Sequence, residues 1–152
     1  MGFLQNLQTL FGKKISSQPA VSGAANPLVP AKKKVLIVED EALLANALEA
    51  KLIHENFEVI MAANGEIGLA MIQANRPDIV LLDLMMPVMD GKTMLHKLRE
   101  IPQFKFLPVV ILTNAGDVEN IRETKRYDNA SAFLIKSSID PDDVVKVVND
   151  LL

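Results

Sequence analysis

Five short apolar runs alternate with longer segments of helical periodicity, and this alternation constrains the fold more than any other feature. The runs are predicted strands at 35–38 (VLIV), 57–62 (FEVIMA), 79–82 (IVLL), 108–112 (PVVIL) and 132–135 (AFLI). Strands that are apolar along their whole length are typical of a parallel sheet with both faces buried. The alternation therefore predicts an α/β fold, a doubly wound five-stranded parallel sheet with helices on both faces.

The segments between the strands contain the usual signals of helix ends. Helices are predicted over 41–56, 64–76, 90–100, 117–128 and from residue 140 to the C-terminus. Four of them begin at a residue whose side chain can cap a helix: Asn64, Asp90, Asp117 and Asp140. Pro141 suits the first position of the last helix, because the missing N–H of proline costs nothing there.

The first 31 residues differ in composition from the rest of the chain. Residues 1–15 are an amphipathic segment whose apolar residues lie at helical spacing: Phe3, Leu4, Leu7, Leu10, Phe11 and Ile15. Residues 16–31 are rich in Ser, Ala, Pro and Gly, which predicts a flexible linker. We expect residues 32–152 to form the folded domain. For residues 1–15, a disordered or partner-binding tail is the first interpretation, and contact with a membrane is the second.

Composition excludes several classes of function. The formal net charge of −3 gives no electrostatic footprint for nucleic acid. The chain has no Cys, which excludes disulfides and thiolate metal sites and favours a reducing compartment. No apolar run reaches the roughly 20 residues of a membrane span, and the N-terminus lacks the basic start of a secretion signal. A cytoplasmic location is therefore expected.

Polar residues stand directly after four of the predicted strands. Glu39 and Asp40 follow the first strand, Asp83 the third, Thr113 the fourth and Lys136 the fifth. In an open doubly wound sheet, ligands bind at the carboxyl ends of the strands. If the strand order is 2-1-3-4-5, the first and third strands are central neighbours, and the five side chains converge at that edge.

This grouping favours a bound cation and a phosphoryl group. Three crowded carboxylates repel one another unless cations join them, and Lys136 supplies only one positive charge. Ligands that are all oxygen favour Mg²⁺ or a similar hard ion. With Mg²⁺ bound, Lys136 and Thr113 could contact phosphoryl oxygens while a carboxylate acts as the nucleophile.

Four fragments, VLIVEDE, IVLLDLMMPVMDG, VVILTNAG and AFLIKS, together resemble the motifs of response-regulator receiver domains of two-component signalling. The resemblance covers residues 32–152. It implies a flavodoxin-like fold with strand order 2-1-3-4-5 and helices on both faces. It also implies a signalling domain that acts as an enzyme only in its own phosphorylation and dephosphorylation.

The resemblance assigns a role to each site residue. Asp83 would be the phosphoacceptor, and Asp40, Glu39, Asp83 and the backbone carbonyl of Met85 would bind Mg²⁺, Glu39 mainly through water. The remaining roles are the phosphoryl partner Lys136, the switch residues Thr113 and Phe133, and the loop-shaping residues Pro87 and Gly91. A sensor histidine kinase or phosphotransfer protein would be the donor. A downstream protein would bind the face formed by helix 4, strand 5 and helix 5, and no output domain is expected after the fifth helix.

Three residues depart from the commonest family pattern. Ser137 stands where a proline after a cis bond is common, so a trans bond is expected here. Asn114 stands where a small residue is common, and its side chain is expected to narrow the approach to Asp83. Phe133 replaces the more common Tyr at the aromatic switch position. Met85 and Ala115 are poor at orienting an attacking water, which predicts slow self-dephosphorylation.

Three other interpretations are open. An ordinary flavodoxin-like sheet could have solvated charges at its strand ends, although all five polar positions would then be accidental. A receiver-like adaptor could bind partners independently of phosphorylation. A phosphatase of the haloacid dehalogenase type also uses an Asp nucleophile, but it has a second acid two residues later, where this chain has Met85.

Overall fold

A parallel sheet in the order β2-β1-β3-β4-β5 organises the part of the chain that the structure describes. The structure is a computed structural model, and it describes residues 30–114, 116 and 129–152. The strands are β1 (Lys34–Val38), β2 (Glu58–Ala62), β3 (Ile79–Asp83), β4 (Val109–Thr113) and β5 (Ala132–Ile135). The predicted fold class and strand order are therefore confirmed.

The helices alternate with the strands, as the sequence predicts. They are α1 (Ala42–His54), α2 (Gly65–Asn75), α3 (Gly91–Glu100) and a C-terminal helix (Pro141–Leu151). Short 3-10 turns cover Pro102–Phe104 and Lys136–Ser138. The predicted fourth helix (117–128), the amphipathic segment 1–15 and most of the linker 16–31 lie outside the described residues.

Three of the predicted caps form as expected. The side-chain oxygen of Asn64 accepts a hydrogen bond from the Ile67 amide at 2.9 Å, at the start of α2. Asp90 accepts from the Thr93 amide at 2.7 Å and begins α3. Asp140 accepts from the Asp142 amide at 2.9 Å, with Pro141 at the first helical position. Each cap satisfies an amide that has no partner inside its own helix.

The two faces of the sheet bury separate apolar cores, because alternate residues of each strand point to opposite sides. One core lies under α2 and α3 and includes Leu36, Val80, Ile111, Met94 and Leu98. The other lies under α1 and the C-terminal helix and includes Ile37, Leu81, Leu112, Leu48 and Val145. The central strands β1, β3 and β4 are therefore buried on both sides, which explains why their sequences are continuously apolar.

Two strands extend one residue beyond their predicted ends. Asp83 is the last residue of β3 and pairs with Leu112, and Thr113 is the last residue of β4 and pairs with Ile135. These two polar residues are thus held by the sheet itself rather than by the loops after it.

Residues Lys32–Leu152 form a compact unit. Among the described residues, no helix has both the length and the apolarity to cross a bilayer.

Candidate functional site

Strand register places Glu39 and Asp83 side by side at the carboxyl edge of the sheet. Val38, the last residue of β1, pairs with Leu82 of β3. The residue that follows each of them along the chain, Glu39 or Asp83, bears a carboxylate. Both residues are almost completely buried, with exposed fractions of 4% for Glu39 and 2% for Asp83. Such burial of charged groups is rare unless they are paired or bind a metal ion.

Lys136 bridges these two carboxylates. Its Nζ lies 2.8 Å from Glu39 Oε1 and 2.9 Å from Asp83 Oδ2. Lys136 immediately follows β5, at the sheet edge two strands away from β3, and its side chain reaches across β4 to the acids. We call Glu39, Asp83 and Lys136 the carboxylate–ammonium triad. Its short, charge-assisted hydrogen bonds are of the strong class.

The triad shifts the pKa values of two of its members. Burial is the largest influence on Glu39 and raises its pKa; the hydrogen bond from Lys136 opposes this rise, and the charge of Asp83 adds to it. Burial by itself would lower the pKa of Lys136, but its hydrogen bonds to Glu39 and Asp83 together raise it. The hydrogen bonds therefore hold the ammonium in its charged form, whereas burial favours the neutral form of Glu39.

The donor set suits a hard divalent cation. One carboxylate oxygen from each of Glu39, Asp40 and Asp83 lies within 4.8 Å of the others. Glu39 Oε2 is buried and has no hydrogen-bond partner in the described part of the chain. A buried carboxylate oxygen without a partner is costly, and a cation would satisfy it. Asp40 is exposed and gives the cluster access to solvent. These residues fit the predicted Mg²⁺ site.

The loop after β3 holds Asp83 and the Met85 backbone in a defined geometry. Asp83 Oδ1 accepts a hydrogen bond from the Met85 amide at 3.1 Å, so both carboxylate oxygens are engaged. At the far end of the loop, the Gly91 amide donates to the Leu84 carbonyl at 3.0 Å. A Cβ at Gly91 would overlap the main-chain carbonyl of Asp83, so only glycine allows α3 to begin this close to the strand.

A strained turn that the sequence did not predict lies in the same loop. The Met89 amide donates to the Pro87 carbonyl at 2.9 Å, and Val88 between them has a φ of 69°. This is a γ-turn with positive φ, which is costly for a β-branched residue. The Met89 carbonyl then accepts from the Gly65 amide at 3.0 Å, which joins the loop to the start of α2. Valine prefers extended backbone, so nothing local in the sequence indicated this turn.

The proposed switch residues lie on one face of the sheet. Thr113 is 1% exposed, and its hydroxyl donates to the Asn114 carbonyl at 3.4 Å. Phe133 is half-buried and packs against the core under α2 and α3. Phe133 pairs with Ile111, two residues before Thr113, so Thr113 and Phe133 point to the same side of the sheet.

Two of the three departures from the family pattern, Asn114 and Ser137, lie beside the triad. Asn114, Lys136 and Ser137 line a depression of about 410 Å³ together with residues of the first two turns of α1. Asn114 and Ser137 are both exposed there. Among the described residues there is no cis peptide bond, as expected for the bond before Ser137. Ala115 lies outside the described residues.

Comparison with protein families identifies one that matches most of the chain. The family model of the response regulator receiver domain matches residues 35–149. The response regulator PleD of Caulobacter vibrioides is 43% identical over 103 residues, which cover 68% of this chain and 22% of PleD. The chain spans between 22% and 56% of the length of the curated relatives compared.

Solved structures show the same fold over about four-fifths of this chain. The chemotaxis protein CheY4 of Vibrio cholerae is 32% identical, with a TM-score of 0.74 over 80% of this chain and 100% of CheY4. The receiver domain of the Francisella response regulator 1452 is 29% identical, with a TM-score of 0.71 over 79% of this chain and 96% of that domain.

Proposed function

Because the chain belongs to the family of response regulator receiver domains of two-component signalling, we propose that it accepts a phosphoryl group on Asp83. The donor would be a phosphohistidine of a sensor histidine kinase or of a phosphotransfer protein. The observation that supports this most is the buried triad, in which Lys136 bridges Glu39 and Asp83 at 2.8 and 2.9 Å. A nucleophile and a cation that could stabilise phosphoryl oxygens are thereby held together.

The transfer would form one bond and break one. A carboxylate oxygen of Asp83 attacks phosphorus, the bond from phosphorus to the imidazole nitrogen breaks, and the imidazole leaves with the electron pair. Lys136 then binds a phosphoryl oxygen in place of its bond to Asp83. The bonds from Met85 and Lys136 hold the Asp83 side chain in one orientation before attack, which reduces the entropy lost on reaching the transition state.

The metal site would be formed by Glu39, Asp40, Asp83 and the Met85 carbonyl. Bound Mg²⁺ would neutralise the charge on the transferring phosphoryl group. The unsatisfied Glu39 Oε2 and its position in the acid cluster support this assignment. Asp40 is the exposed member of the cluster and would be the first to meet the ion from solvent.

Output would follow from a population shift at the β5 side of the sheet. On phosphorylation, the Thr113 hydroxyl turns toward the phosphoryl group, and Phe133 moves into the space that this opens. β5 is an edge strand and Ile135 is 44% exposed, so this side is accessible. A downstream protein would bind the face formed by the predicted fourth helix, β5 and the C-terminal helix.

The wider organisation follows from the same proposal. Residues 32–152 would be a cytoplasmic receiver domain that turns over no separate substrate, and residues 16–31 would link it to the amphipathic segment 1–15. The alternative is an adaptor that binds its partner independently of phosphorylation. The two differ in one property, the dependence of partner binding on the chemistry of Asp83.

Intact-mass measurement tests the proposal. The chain is incubated with Mg²⁺ and acetyl phosphate, beside the variants Asp83→Asn and Asp143→Asn. Asp143 is an exposed aspartate in the first turn of the C-terminal helix and serves as the matched control. We expect a gain of one phosphoryl group in the wild type and in Asp143→Asn, lost in Asp83→Asn and on addition of EDTA.

Absence of phosphorylation in the folded wild type, with acetyl phosphate and with a cognate kinase, would contradict the proposal and favour the adaptor. The rate at which the added mass is lost also tests the prediction of slow self-dephosphorylation. A phosphoryl lifetime of only seconds would contradict that prediction.

A further inference from the structure

Arg99, in the last turn of α3, binds three main-chain carbonyls from different segments. Its Nη1 donates to the Phe104 carbonyl at 3.2 Å and to the Leu107 carbonyl at 3.0 Å, and Nη2 donates to the Asn129 carbonyl at 3.4 Å. A guanidinium presents five N–H groups in one rigid plane, whereas a lysine ammonium is a single point with three donors. The site therefore uses what distinguishes arginine from lysine.

Two of these carbonyls lie just before the two strands that bear the switch residues, and the third, that of Phe104, lies in the 3-10 turn after α3. Leu107 is two residues before β4, and Asn129 is three residues before β5. Ser131 adds a second link at this level: its amide donates to the Val109 carbonyl at 2.8 Å, and its hydroxyl accepts from the Val109 amide at 3.3 Å. The amino ends of β4 and β5 are thus tied both to each other and to α3.

The other end of α3 contacts the acceptor strand. Gly91, the first residue of α3, packs against the Asp83 carbonyl and donates to the Leu84 carbonyl. The ten residues of α3 span roughly 15 Å at 1.5 Å per residue. Because a helix is stiff over this length, α3 connects the acceptor loop at one edge of the sheet with the beginnings of β4 and β5 at the other.

We propose that Arg99 is a positioning residue that anchors the amino ends of β4 and β5 on α3, so that switching is confined to their carboxyl ends. This role rests on the proposed function, since it concerns the movement of Thr113 and Phe133. The amino ends act as a fixed pivot, and the carboxyl ends rearrange around the phosphoryl group. Loss of the anchor leaves the triad intact but lets the rearrangement spread into the pivot.

Amide hydrogen exchange, read residue by residue by NMR on the full chain, tests the anchor without any phosphodonor. The variants are Arg99→Gln, Arg99→Lys and the matched control Lys97→Gln. Lys97 is an exposed cation in the same last turn of α3, so its removal reproduces the loss of charge near the helix end. We expect the Ser131 amide and the β5 amides to exchange roughly ten-fold faster in both Arg99 variants, since about one net hydrogen bond of stabilisation is lost there. The amides of β1 and β3, and all amides of Lys97→Gln, change little.

Two results of this first measurement would overturn the anchor. One is faster exchange spread uniformly over all strands, which would mean that Arg99 contributes only to global stability. The other is wild-type exchange in Arg99→Lys, which would mean that a single cation suffices and the fork of donors is not used.

A second measurement adds acetyl phosphate and Mg²⁺ to the same variants. Each should gain the same phosphoryl mass as the wild type. In the wild type, Ser131 exchange stays unchanged on phosphorylation, whereas in Arg99→Gln it changes together with the amides of Thr113 and Phe133. Equal responses of Ser131 in both proteins would overturn the pivot. Failure of the wild type to gain mass would overturn the proposed function and, with it, the switching role of Arg99. The amide exchange measured without phosphodonor would then still show whether Arg99 anchors the two strands.

Discussion

Each end of the sheet has a salt bridge between a lysine ammonium and an aspartate carboxylate, but the two salt bridges lie in different environments. At the amino end, Lys33 Nζ lies 3.1 Å from Asp78 Oδ1, with side chains 54% and 33% exposed. At the carboxyl end, Lys136 Nζ lies 2.9 Å from Asp83 Oδ2, with side chains 11% and 3% exposed. The distances are nearly equal, so pairing alone does not distinguish the site from the surface.

Burial and the second carboxylate make the difference. An exposed pair contributes about 0–1 kcal/mol, because water competes with it. A buried pair loses the hydration of both ions, and the remaining charge is uncompensated if one partner is removed. At the carboxyl end, Glu39 adds a further buried acid beside Asp83. The chain thus retains charges there that its stability alone does not require, which is typical of a functional site.

The largest expected effect comes from breaking each pair by the same substitution. We expect Lys136→Met to lower the free energy of unfolding by about 3 kcal/mol, because it leaves two buried carboxylates without their cation. Lys33→Met, the matched change at the amino end, should cost less than about 1 kcal/mol. Urea denaturation of both variants at neutral pH gives the comparison. Similar losses in the two variants would show that burial does not separate the pairs.

A second test concerns the close approach of α3 to the acceptor strand. Gly91→Ala places a methyl group against the Asp83 carbonyl, so we expect a loss of about 2 kcal/mol from the forced shift of loop or helix. Gly116→Ala is the control, because a Cβ there meets nothing within 4 Å in the described part of the chain. It should change stability by no more than about 0.5 kcal/mol. Thermal unfolding of the two variants measures both effects, and a harmless Gly91→Ala would refute the tight fit.

The architecture was predictable because its signals are local. The apolar runs and the caps at Asn64, Asp90 and Asp140 each depend on neighbouring residues. The strand order had no such local signal and was implied by the resemblance to receiver domains. Asp83 and Thr113 were predicted to follow their strands, because a polar residue after an apolar run looks like the start of a loop. Their pairing with the neighbouring strands extends the sheet by one residue in each case.

The finer geometry of the site has no such signal. The sequence predicted that Glu39, Asp83 and Lys136 would converge, but not that Lys136 would bridge both acids or that one Glu39 oxygen would be left without a partner. Arg99 was missed because its acceptors are main-chain carbonyls, which every residue has. These contacts depend on how distant segments pack.

A third test compares backbone strain at the two ends of the sheet. Val88 near the carboxyl end has a φ of 69°, and Asn129 near the amino end has a φ of 50°. Asparagine adopts this conformation at little cost, whereas for a β-branched valine it is unfavourable. We therefore expect Val88→Asn to raise the free energy of unfolding by about 1 kcal/mol, since Val88 is 79% exposed and loses little packing. Asn129→Gly should be nearly neutral. Chemical denaturation measures both, and no gain from Val88→Asn would show that the turn is unstrained.

The smallest expected effect is the dependence of stability on pH through Asp78. Burial acts most strongly and would raise its pKa, but bonds from the Lys34 amide at 2.7 Å and from the Lys33 ammonium outweigh it, so the net pKa is lowered. A carboxyl group whose pKa is lower in the folded state stabilises the fold above its unfolded pKa of about 3.9, and this contribution is lost as the pH falls through the folded pKa.

Comparison with Asp78→Asn isolates that contribution. The difference in unfolding free energy between wild type and variant should be constant from pH 7 down to about 5, and should shrink as the pH falls below about 4. Because Asp78 is one-third exposed, we expect a difference of less than about 1 kcal/mol. Urea titrations of both proteins at closely spaced pH values measure it. A difference that grows on acidification would mean that the Asp78 pKa is raised, and that its bonds at the amino end do not offset its burial.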